Sequence, residues 1–221
     1  MNVSHRLVIF IALFITCLIT ANVIAVKIIN LGPFLLPAAI FIFPLSYIFG
    51  DVLTEVYGYR LARRVIWLGF LCNLIFVFFV WLGQLLPAAP FWEGQEAYKS
   101  ILGYTPRLLA ASFLGYLAGE FANSFILSKM KIATQGRWLW SRTIGSTIVG
   151  QGLDTSIFIT VAFIGTASFV PIMILYHWLA KTIIEALATP LTYATVNWVK
   201  QREAVDTYDY DTKFNPFLIA N

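Results

Sequence analysis

VIWLGFLCNLIFVFFVWLGQLL, residues 65–86, runs for 22 positions without one Asp, Glu, Lys or Arg. About 20 mainly apolar residues cross a bilayer as a helix, so the stretch predicts a membrane span. Working outward, the same reading finds five more, at Leu7 to Ile29, Phe34 to Tyr57, Leu108 to Ser128, Thr143 to Thr166 and Val170 to Val199. Composition agrees. Of 221 residues, 59% are hydrophobic and only 12% charged, far from the balance of a water-covered globule. The links between spans are short. The expectation is therefore an all-α, polytopic membrane protein with six transmembrane helices in one compact bundle (residues 1–221), the second helix irregular, and residues 200–221 as a short cytoplasmic tail.

Lysine and arginine in short loops mark the cytoplasmic side. His5 and Arg6 precede span one, Arg60, Arg63 and Arg64 follow span two, and Lys129, Lys131, Arg137 and Arg142 separate spans four and five. Lys200 and Arg202 follow span six, whereas the opposite loops set Lys99 and Arg107 against Glu93 and Glu96. Both termini are thus expected in the cytoplasm. The net charge of +4 reflects this loop bias and is no nucleic-acid footprint. Span one is too long for the apolar core of a secretory signal. Cys17 and Cys72 have no spacing for a disulfide or a metal and read as packing residues.

Five carboxylates interrupt these spans or sit at their edges: Asp51, Glu55, Glu120, Asp154 and Glu185. An ionised side chain near the bilayer centre costs roughly 2.5–3.5 kcal/mol on insertion scales, so it marks a substrate or ion path until shown otherwise. Span two opens on Gly32-Pro33 and contains Pro37 and Pro44, which remove backbone donors and predict a late start or a bend. Asp51 and Glu55 share a helix face at four-residue spacing. Glu55 is expected to pair with Arg60, Arg63 or Arg64, and Asp51, lying deeper, to be functional. In span six His177, Lys181 and Glu185 form one stripe, with a local Lys181–Glu185 pair as the structural alternative to a coupling role.

Spans four and five share a pattern. Gly119-Glu120-Phe121-Ala122-Asn123-Ser124 matches Gly150-Gln151-Gly152-Leu153-Asp154-Thr155. The spans run in opposite directions, so an inverted pair would present both polar sets to one midplane site; small-residue helix packing explains the glycines equally well. Glu120, Asn123, Gln151 and Asp154 are the candidate substrate-binding residues, flanked by Tyr116 and Phe158 one turn away on the same faces. Asp51, Lys181, Glu185 and His177 are the coupling or gating candidates. Asn22 and Asn73 read as interhelical amide contacts. Carboxylates accept from paired N–H donors, and amides both donate and accept. Such a set suits a flat, nitrogen-rich heterocycle, without separating a purine analogue from another small polar solute.

The run Phe43-Pro44-Leu45-Ser46-Tyr47-Ile48-Phe49-Gly50-Asp51-Val52-Leu53-Thr54-Glu55-Val56-Tyr57-Gly58-Tyr59, followed by Arg63-Arg64, resembles the signature of the queuosine precursor transporter family. Gly115 to Ser124 and Gly150 to Ser156 resemble further blocks, so the resemblance covers about residues 20 to 200. It implies a six-helix bacterial inner-membrane importer of 7-cyano-7-deazaguanine and 7-aminomethyl-7-deazaguanine, salvaged for tRNA modification. Transport would be secondary or facilitated. No Gly-x4-Gly-Lys-Ser/Thr loop is present for binding ATP. The alternative is a substrate-binding membrane subunit of an ATP-driven vitamin-type transporter. An enzyme is disfavoured, since only two histidines occur and no His-Glu-x-x-His. The expected partners are the small-molecule base and membrane lipid, with no nucleic acid, cofactor or metal; a homodimer would steady so small a bundle.

Overall fold

The computed structural model describes residues 4–31, 34–103, 106–166 and 169–218. Helix α1 spans His5–Ile24, with the Ser4 side chain accepting from the Arg6 N–H at its start. It ends five residues before the Ile29 expected from hydropathy. Strand β1 (Ile28–Leu31) turns back there to pair antiparallel with β2 (Phe34–Pro37). A 3-10 turn, Ala38–Phe41, leads into α2 (Phe43–Tyr57). Pro44 sits in the first turn of α2, where no intrahelical donor is needed, so it starts the helix without kinking it. The proposed span opening at Gly32-Pro33 lies outside the described residues.

With 15 residues, α2 is about 22 Å long, shorter than the ~30 Å hydrocarbon core. The irregular second span is thus a short helix preceded by a hairpin and a 3-10 turn. Helix α3 (Tyr59–Leu85) follows Gly58, whose φ of 87° breaks the chain direction between two helices. The short α4 (Gln95–Leu102), which the hydropathy pattern does not announce, packs on the far end of α3. Helices α5 (Pro106–Ala133), α6 (Leu139–Phe163) and α7 (Ile172–Glu203) complete the bundle. Among the described residues four helices, α1, α3, α6 and α7, are long and apolar enough to cross a membrane on their own composition. Helix α2 is too short for this by itself, α5 is interrupted by Glu120 and Asn123, and both sit against the others. The fold is an all-α, polytopic membrane bundle, as expected. Its interhelical amide contact is also present: Asn22 Nδ2 donates to Asn73 Oδ1 at 3.0 Å.

Helices α5 and α6 are antiparallel and make the closest pair. A Cβ placed on Gly119 would stand 2.7 Å from Asp154 Cβ and 3.0 Å from the Gly150 oxygen. One placed on Gly150 would stand 2.8 Å from Asn123 Cβ and 2.9 Å from the Gly119 oxygen. The two similar sequence blocks therefore face each other reciprocally, each glycine receiving the fifth residue of the other block. Only glycine permits backbones this near.

One end of the bundle collects the start of α1, the junction of α2 with α3, the turn between α5 and α6, and the end of α7. This end is basic. Glu55, fully buried, accepts from Arg142 Nε at 2.8 Å, Arg142 Nη2 at 2.7 Å and Lys200 Nζ at 2.7 Å. Lys131 Nζ stands 3.7 Å from the same carboxylate and donates to the Glu55 carbonyl at 2.5 Å. The expected pairing with Arg60, Arg63 or Arg64 is therefore replaced. Those arginines leave α2 on the next helix, whereas Lys131, Arg142 and Lys200 converge on Glu55 from α5, α6 and α7. Lys129 and Lys131 belong to α5 and Arg142 to α6, so the basic residues between spans four and five extend the helices beyond the apolar stretches.

The tail does not hang free. Residues 204–218 lie across this end as a strap. Asp206 bridges Lys131 at 2.5 Å and Lys200 at 2.8 Å. Asp209, 4% exposed, accepts from the first N–H of α3, at Tyr59, at 2.9 Å and from Ser128 Oγ at 2.8 Å. It caps from a distance the helix start that Gly58 cannot cap. Arg63 Nη1 donates to the carbonyls of Lys213 and Asn215, Tyr59 to that of Phe214 and Trp67 to that of Pro216.

Burial works against the charge of Asp206, but hydrogen bonds from Lys131 and Lys200 outweigh it and hold its carboxyl below the usual carboxylate range. A lowered folded value means that this stabilisation is complete above the unfolded value, near ~3.9, and is lost as pH falls through the folded one. In pepsin cleavage of the strap, the extra protection of the parent over Asp206→Asn is expected to be full at about pH 5 and to shrink as pH falls below the unfolded value. A difference that stays constant with falling pH would mean that the Asp206 carboxylate does not fasten the strap.

Candidate functional site

Above the Glu55 cluster, one turn along the same face of α2, lies Asp51, 1% exposed. Asn123 of α5 donates its amide to Asp51 Oδ1 at 3.2 Å. Among the described residues the other oxygen, Asp51 Oδ2, has no hydrogen-bond partner, nor has Asn123 Oδ1. Glu185 of α7 is fully buried, and neither of its carboxylate oxygens has a partner among those residues. The Tyr47 hydroxyl, one turn from Asp51 on α2, is likewise buried and unpartnered, as is the Thr155 hydroxyl on α6. Buried polar groups are nearly always hydrogen-bonded in folded proteins, so a cluster left open is where a ligand is expected.

These groups share one region. Asp51 lies within electrostatic reach of Glu185 and Glu120, and Tyr47 within reach of Asp154, Glu185 and Glu120. Glu120, near the middle of α5, points at α2, where its Oε2 would stand 3.8 Å from a Cβ on Gly50. One turn further, Ser124 accepts from Thr54 Oγ1 at 3.1 Å and ties the same faces together. A void of about 10 Å3 lies between Phe14, Gly50, Leu53, Glu120 and Ser124. That is room for about one water molecule. A bicyclic solute would need the helices to part.

Lys181 does not pair with Glu185. Its Nζ reaches across to Asp154 Oδ2 at 2.6 Å, and the ammonium stands 5.0 Å from the centre of the Phe43 ring. This overturns the local alternative proposed for the span-six stripe. The helix faces α6 as well as α2, and the cross-helix carboxylate lies closer to the long lysine stem than the one on its own helix. Asp51, Glu120 and Glu185 form no ion pair among the described residues, although Lys181 acts on Glu120 at longer range.

The remaining sequence candidates divide. Gln151 is buried on α6 beside the Gly150 contact. Tyr116 faces α3, where its hydroxyl donates to the Ile66 carbonyl at 3.0 Å. It braces two helices. Phe158, half-buried, meets Phe163 edge-on at 6.5 Å. His177 is half-buried one turn before Lys181. Two aromatics escaped the sequence reading: Phe43 and Tyr47, whose rings stack nearly parallel at 6.0 Å. Their signal was the four-residue spacing of Phe43, Tyr47, Asp51 and Glu55, one stripe along α2.

Comparisons with known proteins follow the same residues. A family model described as "Putative vitamin uptake transporter" matches residues 37–195, which include every side chain of the mid-bundle cluster and exclude the strap. The chain is similar to the "Probable queuosine precursor transporter" of Bacillus subtilis (strain 168), 34% identical over 161 residues that cover 69% of this chain and 68% of that one. It is also similar to the "Queuosine precursor transporter" of Escherichia coli (strain K12), 26% identical over 123 residues, 56% of this chain and 53% of the relative. No solved structure matches.

Removing Asp154 alone leaves Lys181 without its ion-pair partner. Asp154→Asn is expected to lower thermal stability in detergent, by less than the roughly 3–5 kcal/mol of a sealed pair because the two side chains keep 23% and 13% exposure. Adding Lys181→Met should restore most of the loss. A double variant no more stable than Asp154→Asn would mean that the pair is not what holds α6 to α7.

Proposed function

The chain belongs to the vitamin uptake transporter family, and from that premise we propose that it carries queuosine precursors across the bacterial inner membrane. The observation that carries this reading is the set of buried acceptor oxygens without donors: Asp51 Oδ2, Asn123 Oδ1 and both oxygens of Glu185. A deazaguanine offers what they lack. Its ring and exocyclic N–H groups form adjacent donors, complementary to a carboxylate.

Glu120, Asn123, Gln151 and Asp154 belong to this binding region together with Asp51 and Glu185. Asp154 acts through Lys181, which it holds over the Phe43 ring. The stacked Phe43 and Tyr47 supply a flat apolar wall for a base, alongside Phe158. Both 7-cyano-7-deazaguanine and 7-aminomethyl-7-deazaguanine fit this chemistry, and the aminomethyl group of the second adds a cation to a site with surplus carboxylates. Transport proceeds by alternate opening of the bundle to each side, with both termini in the cytoplasm. Asp51 or Glu185, freed of a fixed cation, also serves as the group that takes up a coupling proton, with Lys181 as the cation on the same helix face of α7 and His177 one turn beyond it.

The test is uptake of labelled precursor, with tRNA queuosine as the cellular readout, in cells unable to make the precursor. Asp51→Asn, Glu120→Gln and Glu185→Gln each remove a charged acceptor worth about 1.5–3 kcal/mol, roughly 10- to 100-fold in apparent affinity. Variants that are present in the membrane and transport like the parent would refute the site. Uptake that survives an uncoupler unchanged would leave carriage intact and remove the proton. Uptake lost in cells lacking every candidate ATPase motor would favour the dependent-subunit alternative.

A further inference from the structure

The same four helices, α2, α5, α6 and α7, build both the mid-bundle cluster and the Glu55 cluster beneath it. Asp51 and Glu55 are separated by one helical turn, about 5.4 Å along α2. A solute leaving the upper site toward the basic end meets Glu55, Lys131, Arg142 and Lys200 across its way. Above that layer lie the unpartnered oxygens; below it lies the strap.

The charges there are incomplete without the strap. Three cations surround the one carboxylate of Glu55, and Asp206 leaves the group with a single net positive charge. Withdrawing Asp206 leaves two. Lys131 on α5 and Lys200 on α7 then repel each other with less to hold them together, in a place where Glu55 has no access to water. The strap itself is fastened for release. Besides Asp206 its grip consists of the buried Asp209, the Thr207 N–H on the Val56 carbonyl, carbonyls at Thr207, Lys213, Phe214, Asn215 and Pro216 that accept from Lys131, Arg63, Tyr59 and Trp67, and the rings of Phe214 and Phe217 laid on Tyr59 and Trp67. Of its residues only Asp209 is buried. Segments held by polar contacts at a surface open at lower free energy than the core they cover.

We propose that the strap, residues 204–218, and the Glu55 cluster form the gate at the basic end of the bundle, with Asp206 as the latch whose departure lets α5 and α7 part. The proposal rests on the transport reading above, but its test uses no substrate. Glu55 stays clamped by Arg142 and the Gly119–Gly150 contact keeps α5 on α6, so α2, α5 and α6 form one side of the gate and the end of α7 the other.

The experiment replaces both native cysteines, Cys17→Ala and Cys72→Ala, and introduces Ser124→Cys as a reporter beside Glu120. A charged, membrane-impermeant thiol reagent is applied to oriented vesicles from the strap side or from the opposite side. Asp206→Asn, an isosteric change at a partly exposed position, is expected to speed labelling from the strap side at least tenfold and to leave the opposite side unchanged. Lys200→Gln added to Asp206→Asn restores the single net charge and should bring labelling back toward the parent rate. Equal labelling of parent and Asp206→Asn, faster labelling from both sides, or no recovery in the double variant would each overturn the gate and leave the strap a static brace. Faster strap-side labelling in Asp206→Asn supports the gate whatever the uptake assay gives, whereas unimpaired uptake in Glu185→Gln faults the substrate site alone.

Discussion

A carboxylate with no exposed surface is costly unless a cation meets it, and Glu55 is met from three other helices at once. The bidentate contact with Arg142 fixes the rotation of α6 against α2, because a guanidinium fork meets two carboxylate oxygens in one plane only. Lys131 and Lys200 then bring in the ends of α5 and α7. Within lipid no hydrophobic force selects one apolar helix face over another. Polar contacts of this kind, with the glycine contact of α5 and α6, therefore decide how the helices sit.

The same arrangement sets the electrostatics of the middle. Lys131, Arg142 and Lys200 are committed to Glu55 and the strap, Arg6 to Glu203, and Lys181 to Asp154. Asp51, Glu120 and Glu185 remain, on three different helices. Such a surplus has no structural use in a dry interior, where unpaired charge is expensive. It has one in a carrier, which needs groups whose partners arrive and depart.

The reciprocal contact between the two Gly-x-x-x-Asn/Asp blocks gives α5 and α6 a local two-fold relation, with Asn123 turned toward Asp51 and Asp154 toward Lys181. One block thus serves α2 and the other α7. An inverted pair that addresses its two flanks by equivalent residues offers a simple geometry for opening alternately to either side.

Much of this was legible from residue order. Hydropathy and helical rise are local properties, so the runs at 65–86 and elsewhere showed that the chain lies in a membrane and placed Asp51, Glu120, Asp154 and Glu185 within its helices. Four-residue spacing determined which side chains share a face. Only the tertiary structure decided who meets whom. Lys181 lies four residues from Glu185 yet bonds to Asp154, 27 residues away; Glu55 bypasses the nearby arginines for partners 76 to 145 residues distant; and a polar tail with no periodicity becomes a strap. Pairing between helices depends on their relative rotation and height, which are set by contacts distributed over the whole bundle, and no short stretch of sequence carries that information.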